Sequence, residues 1–300
     1  MRHALLLAAT LCGAATSLTA VSTSVRAEAP FSFATTPGQL PKTVVPSAYD
    51  IDLVTDMKKL TLSGHETIAV DVTSTTDSLT LNQAGLKISS ATIDGAPATV
   101  TTDETAQTLT LRAAAPLSTG THRIEITYTG PILQTPNGIY YDDYRAPSGA
   151  KKRMLVTQFE VADARRMFPC WDEPAFKATF RLTVTLPKDW VPLGNMPVES
   201  TTPASSTTQR VTFAVPPRMS SYLVALVAGE LTATHDQAGP TRISTWAPPG
   251  DEKATEYATH AATEILPYYN EYFGTAYPLP KLDLIAIPGN YEAGAMENWG

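Results

Sequence analysis

Two stretches of the sequence concentrate groups that can do chemistry. The first runs Gln158-Phe159-Glu160-Val161-Ala162-Asp163-Ala164-Arg165-Arg166-Met167-Phe168-Pro169-Cys170-Trp171-Asp172-Glu173-Pro174-Ala175-Phe176-Lys177. It mixes acids, bases and aromatics with no amphipathic period, which suits a loop held by its own polar contacts. The second is Gly294-Ala295-Met296-Glu297-Asn298-Trp299-Gly300, small residues followed by a carboxylate and an amide. Taken alone, Glu160 and Glu297 read as well as solvated surface charges as binding groups. Asp163, Arg165, Arg166, Asp172 and Glu173 read as an ion-pair and hydrogen-bond network that holds the loop. Cys170 reads as a buried small apolar residue, because a reactive thiol needs a base beside it and no His is near in sequence.

The elements that must carry these stretches are mostly strands. From Ser47 to about Leu231 the pattern alternates with period two, as in Tyr49-Asp50-Ile51-Asp52-Leu53-Val54 and Glu66-Thr67-Ile68-Ala69-Val70-Asp71-Val72. Runs at 107–112, 122–128, 179–184 and 210–215 do the same. Such alternation with β-branched residues marks strands with one buried face. Asp94-Gly95 and Asn137-Gly138 suit the positive φ angles of tight hairpins. Many short strands with regular turns predict an antiparallel sandwich or saddle-shaped sheet. The pattern changes near Asp236. Thr241–Trp246 reads as one more strand, Pro248-Pro249-Gly250 ends it, and Asp251 reads as an N-cap. Ala254, Tyr257, Ala258, Ala261, Ile265, Tyr268, Tyr269 and Tyr272 then fall at helical spacing, predicting one apolar face whose tyrosines are core. Pro267 is expected to kink or split that helix, and Gly274 to stop it. Leu282 to Ile287 reads as a buried strand, so a mixed α/β part follows the β part.

Composition narrows the function classes. The 300 residues carry 22 Lys+Arg and 29 Asp+Glu, a net charge of −7. That balance argues against nucleic acid as a partner, since phosphate binding needs clustered basic groups. Residues 1–27 read as a signal peptide: a basic start, an apolar run from Ala4 to Ala15 too short to span a bilayer, and cleavage after Ala27. The predicted location is therefore exported, periplasmic or secreted in a bacterium, with no membrane anchor. Residues 28–46 read as a flexible lead-in, 47–235 as the β domain, and 236–300 as the start of the second domain. Removal of the signal leaves Cys170 as the one cysteine, which excludes an intramolecular disulfide.

Gly294 to Asn298 reads GAMEN, the exopeptidase signature of the M1 metallo-aminopeptidases, and Gln158–Lys177 resembles that family's other well-marked segment. The resemblance spans roughly Pro41 to Gly300, with both segments in the family's order. It implies a β-sandwich domain followed by the truncated start of a thermolysin-like α/β catalytic domain. It also implies roles. Glu160 and Glu297 would hold the free α-ammonium of a peptide substrate, and Gln158 would line the same pocket. Gly294, Ala295 and Met296 would run alongside the substrate backbone, and Asn298 would fix the segment. A cation taken out of water needs opposite charge and hydrogen bonds close by, and two carboxylates supply both. A peptide bound mid-chain brings no ammonium and leaves those carboxylates unpaired.

The family's chemistry needs zinc, held by two His of an H-E-x-x-H helix and a further Glu. This sequence has His3, His65, His122, His235 and His260. His65-Glu66 begins like the motif, but Ala69 stands where the second His belongs, and the pattern there is strand. The resemblance therefore places the zinc ligands beyond Gly300, and implies no catalytic or metal-binding residue in this chain. The general base and the transition-state tyrosine of the family have no counterpart in it either. The reading is part of a zinc-dependent aminopeptidase. A non-catalytic peptide- or protein-binding β module is the alternative, and a related epoxide hydrolase is a third. The chain alone is expected not to hydrolyse peptides, and zinc-dependent turnover by homogeneous protein in a peptidase assay would overturn that.

Overall fold

A computed structural model describes residues 31–250, 252–289 and 294–300. The signal-peptide reading and the Asp251 cap fall outside the described residues. Residues 31–35 carry a short 3-10 turn at Phe33–Thr35, and residues 36–300 form a separate compact unit.

The fold of that unit is mainly β. Its largest sheet has eight strands. At its centre Val44–Asp56 pairs antiparallel with Thr61–Val72 and parallel with Thr179–Pro187. Gly120–Pro131 continues the sheet on the Thr61–Val72 side, and Thr208–Phe213 on the other. The period-two alternation sends Ile51, Leu53, Leu62, Ile68, Ile124 and Ile126 to one fully buried face. A three-stranded sheet of Thr76–Asn82, Thr108–Leu117 and Thr99–Asp103 adds Leu79, Leu81, Leu109 and Leu111 to the core. The Asp94-Gly95 hairpin forms as its sequence predicts, with φ of 52° and 80° and Ile93 opposite Ala96. Asn137-Gly138 does not make such a hairpin. Only Gly138 has positive φ, 87°, and a Cβ there would lie 2.6 Å from the Arg166 side chain, so close approach is what this glycine permits.

A four-stranded sheet brings together Val191–Gly194, Leu226–Gly229, Lys151–Gln158 and Gly138–Arg145. Its core of Tyr140, Met154, Val156, Leu193, Val227 and Leu231 packs against Trp246, Ile285 and Ile287 of the next layer. That layer is a strand–helix–strand unit: Thr241–Ala247, the helix Glu252–Phe273, and Lys281–Ile285 parallel to the first strand. Thr232–Ala238 closes its edge.

The helix rules out the split expected at Pro267 and corrects the reading of its apolar face. It runs through Pro267 without dividing. Its aromatic stripe is not core: Tyr257 is 78% exposed and Tyr272 68%, with Ile265, Tyr268 and Tyr269 also exposed. The face turned to the sheet carries Thr255, Thr259 and Leu266. Threonine wins there because its hydroxyls find partners. Thr259 Oγ1 donates to Thr245 Oγ1 at 2.8 Å, and Thr255 and Thr234 hydroxyls meet at 2.8 Å. Gly274 ends the helix as expected. Its N–H bonds to Glu271 O, and the Thr275 N–H reaches Asn270 O, the paired closing bonds of a left-handed cap. No helix among the described residues is long and apolar enough to cross a membrane.

One residue breaks the apolar rule of the main sheet. Glu66 lies on the buried face, fully inaccessible, opposite Ile51 and Ile126. Neither carboxyl oxygen has a hydrogen-bond partner among the described residues. Burial pushes the Glu66 carboxyl well above its ordinary range near 4.5. The buried Tyr49 and Tyr128 phenols and the Cys170 thiol share this interior with it. The folded chain thus keeps a proton that the unfolded chain releases, so stability is lost as pH rises from the ordinary carboxyl range to the raised value and is level above it. Glu66→Gln removes the titration. Urea unfolding from pH 4 to 8 is expected to show a falling limb in the wild type that the variant lacks; parallel profiles would overturn this.

Candidate amino-end recognition site

Gln158 is the last residue of the Lys151–Gln158 strand, and its neighbour Thr157 is clamped by bonds to both Leu226 O and Leu226 N–H. The chain then turns out of the sheet. Phe159 goes inward to meet Phe168 edge-on, while Glu160 stays at the surface. The Glu160–Val161 peptide bond is cis. Phe168 also packs edge-on against Tyr49 and Phe180, which stack on each other with ring centroids 4.8 Å apart. The segment is therefore nailed to the central strands by aromatic contact.

Its charged residues do what the sequence suggests. Arg165 Nε donates to Asp172 Oδ2 at 3.0 Å, and the Ser221 hydroxyl donates to Asp172 Oδ1 at 2.6 Å. The Asp172 N–H donates to Asn82 Oδ1, and Asn82 and Cys170 exchange backbone bonds of 2.7 and 3.0 Å. Arg166 and Asp163 pair at 2.6 Å, with Asn137 Nδ2 donating to the same carboxylate. Glu173 Oε1 accepts from the Gln39 and Leu40 N–H groups. Cys170 is fully buried, and burial raises its thiol well above the ordinary range, so it stays protonated and inert.

The Gly294–Gly300 segment is held from the β side. Asn298 Nδ2 donates to Leu223 O at 3.1 Å. Asn195 Nδ2 donates to both Leu223 O and Trp299 O at 2.8 Å, and Asn195 Oδ1 accepts from the Ala225 N–H. Gly294 has φ of 80°, with open space where a Cβ would sit. Gly294, Ala295 and Glu297 are exposed; Met296 and Asn298 are half-buried. The Tyr222 hydroxyl donates to Glu297 Oε1 at 3.0 Å. Its phenol is raised by partial burial, by that bond and the Glu297 charge, and by the charge of Glu160. Glu297 bonds this phenol directly, and the charge of Glu160 is the smallest of the influences on it. Gln158 lies two residues before Glu160, its amide buried and its Oε1 without a partner among the described residues. The arrangement offers carboxylate and amide oxygens as acceptors and suits a cationic donor.

Tyr222 and Asn195 were not visible to sequence reasoning. The signal available was the hydroxyl-rich Ser220-Ser221-Tyr222 following Pro216-Pro217, a strand end too polar for a plain turn. A separate cavity of about 410 Å³ is lined by Gln134, Pro136, Tyr140, Tyr141, Asp142, Asp143 and Gly289, and by none of Gln158, Glu160, Tyr222 or residues 294–300. Among the described residues no three His, Cys, Asp or Glu side chains gather as a metal ion needs.

The Asp172 side chain is 1% accessible and that of Arg165 12%. Removing one partner of such a pair leaves a buried charge unmet, at about 3–5 kcal/mol. Asp172→Ala is expected to lower unfolding stability by that amount in urea titration; a loss under about 1 kcal/mol would mean that water replaces the pair.

Comparison with known proteins fits this geometry. Residues 45–223 match the Peptidase M1 N-terminal domain, and residues 257–300 match the Peptidase family M1 domain. The chain is 60% identical to Aminopeptidase N of Acetobacter pasteurianus over 92% of its own length and 78% of that protein. It is 36% identical to Aminopeptidase M1 of Arabidopsis thaliana and 34% identical to the Puromycin-sensitive aminopeptidase of Caenorhabditis elegans, over 87% of this chain in each case. It spans only 31% and 28% of the length of those two relatives. With one domain match covering more than half of the chain and the second following it in order, the chain belongs to peptidase family M1.

Proposed function

We propose that this chain supplies the amino-end recognition of an exported zinc-dependent aminopeptidase that removes N-terminal residues from peptides. The observation that carries the reading is the turn at Tyr222, bonded through Ser220 and Ser221 to the loop that carries Glu160 and through the Tyr222 hydroxyl to Glu297 at 3.0 Å. One carboxylate comes from the β domain's loop and the other from the M1 signature. In this reading the α-ammonium of a peptide donates to both carboxylates and to Gln158 Oε1. Gly294 to Met296 pass beside the substrate backbone, where small residues permit close approach. A peptide presented mid-chain brings no cation, so the site disfavours it and fixes the register at the first residue.

Zinc belongs to the whole enzyme in this reading. No metal site forms among the described residues, so in this reading the zinc ligands lie outside them. Export rests on the signal-like residues 1–27, and a single mature cysteine is compatible with it.

Binding of leucinamide and N-acetyl-leucinamide to the 300-residue chain, followed by NMR, tests the reading. The free amine is expected to bind and the acetylated probe not to. Affinity should fall as pH passes about 8, where an α-amine loses its proton. Glu160→Gln and Glu297→Gln should each weaken binding about tenfold or more, the scale of a lost hydrogen bond between charged groups. Equal binding of both probes would overturn amino-end recognition and favour a general binding module.

A further inference from the structure

The turn that carries Tyr222 is fastened on two sides. Pro216 and Pro217 lack the N–H that would continue the Thr208–Phe213 strand, and the chain tightens into a 3-10 turn at Ser221–Leu223. Toward the 158–177 loop, the Ser220 hydroxyl donates to Pro174 O at 2.8 Å and the Ser221 hydroxyl to Asp172 Oδ1 at 2.6 Å. Met219 and Ala178 exchange backbone bonds of 2.9 and 3.0 Å. Toward the 294–300 segment, Leu223 O accepts from Asn298 and Asn195, and Asn195 also holds Trp299 O. Tyr222 stands between these fastenings, and its hydroxyl meets Glu297 at 3.0 Å.

We propose that Tyr222 is the positioning residue of the amino-end pocket: from a turn bonded to both recognition segments, its hydroxyl fixes the Glu297 carboxylate in place beside the loop that carries Glu160. This rests on the reading of Glu160 and Glu297 as ammonium ligands.

Three physical points follow. A glutamate has three rotatable side-chain bonds, and an exposed one samples many rotamers. A donor on a short, fastened turn selects among them before substrate arrives, which removes that ordering cost from binding. An ionised carboxylate has about four acceptor sites, so one bond to Oε1 leaves Oε2 free for an ammonium. The phenol also offsets the charge of Glu297 while no cation is present, which lets two carboxylates face one pocket. It must stay protonated to donate, and the raised phenol does so throughout the neutral range.

The test is a double-mutant cycle on the 300-residue chain, with leucinamide as probe. Tyr222→Phe keeps the ring and loses the hydroxyl, and is expected to weaken binding about tenfold. If its hydroxyl acts through Glu297, the pair Tyr222→Phe, Glu297→Gln binds no worse than Glu297→Gln alone. Additive losses would mean that the hydroxyl affects binding independently of Glu297, and would overturn the proposal. A second readout needs no loss of the ring: in 13C-tyrosine-labelled chain, Glu297→Gln should lower the titration midpoint of Tyr222, and Glu160→Gln should lower it by less. An unmoved midpoint in Glu297→Gln would also overturn it. Failure of the site reading looks different: neither glutamate variant changes leucinamide binding, and the proposal falls with it. Weakening by both glutamate variants with none by Tyr222→Phe sinks Tyr222 alone.

Discussion

A carboxylate sealed from water must be met by donors within its own fold, and Asp172 is where this molecule meets that demand. Arg165 closes on one oxygen, Ser221 on the other, and Asn82 anchors the same residue's backbone. Those partners come from three places: the loop itself, the small three-stranded sheet and the turn before Leu226. One buried charge therefore ties three chain segments that are distant in sequence. Its Coulombic benefit is largely offset by desolvation, so what it supplies is a defined arrangement rather than net stability. The aromatic contacts of Phe168 supply the burial, and the ion pair decides which conformation is buried.

The main sheet shows the opposite treatment of the same chemical group. Glu66 has no donor facing it and stays protonated, a neutral acid among Ile51, Ile126 and two phenols. The charged Asp172 adds to the burial that raises the Cys170 thiol. Buried charge among the described residues comes with partners: Arg165 and Ser221 meet Asp172, and Lys281 pairs with Asp283 at 2.9 Å with both side chains 4% accessible. Glu160 and Glu297 stay at the surface, where in the proposed reading a ligand supplies the positive charge.

The strands were legible because alternation is local: Ile51, Leu53 and Ile68 announce their face from sequence alone. The Asp94-Gly95 turn was legible for the same reason. The helix face was not. Hydropathy favoured the tyrosine stripe, yet the buried stripe holds Thr255 and Thr259, whose hydroxyls are satisfied by Thr234 and Thr245 on other elements. Long-range partners of that kind leave no mark on a local period. The site divides along the same line. Glu160 and Glu297 sit in recognisable segments, whereas Tyr222 and Asn195 owe their roles to bonds spanning 75 and 104 residues of chain.

That division bears on how an M1 chain can measure one residue from a peptide's end. Measuring needs a fixed distance between the group that holds the ammonium and whatever acts on the first peptide bond. Glu160 and Glu297 lie on different layers, so neither alone fixes that distance. The joint between the layers must be stiff, and here it is built from side-chain amides bonded to main-chain carbonyls: Asn195 to Leu223 and Trp299, and Asn298 to Leu223. Such bonds have direction, which apolar packing lacks. A joint of packed leucines would let the segments slide by an ångström at little cost, and a slide of that size is enough to misplace a reacting group. On the proposed reading the β layer is part of the measuring device, and its polar seam with the Glu297 segment is what gives the measurement a length.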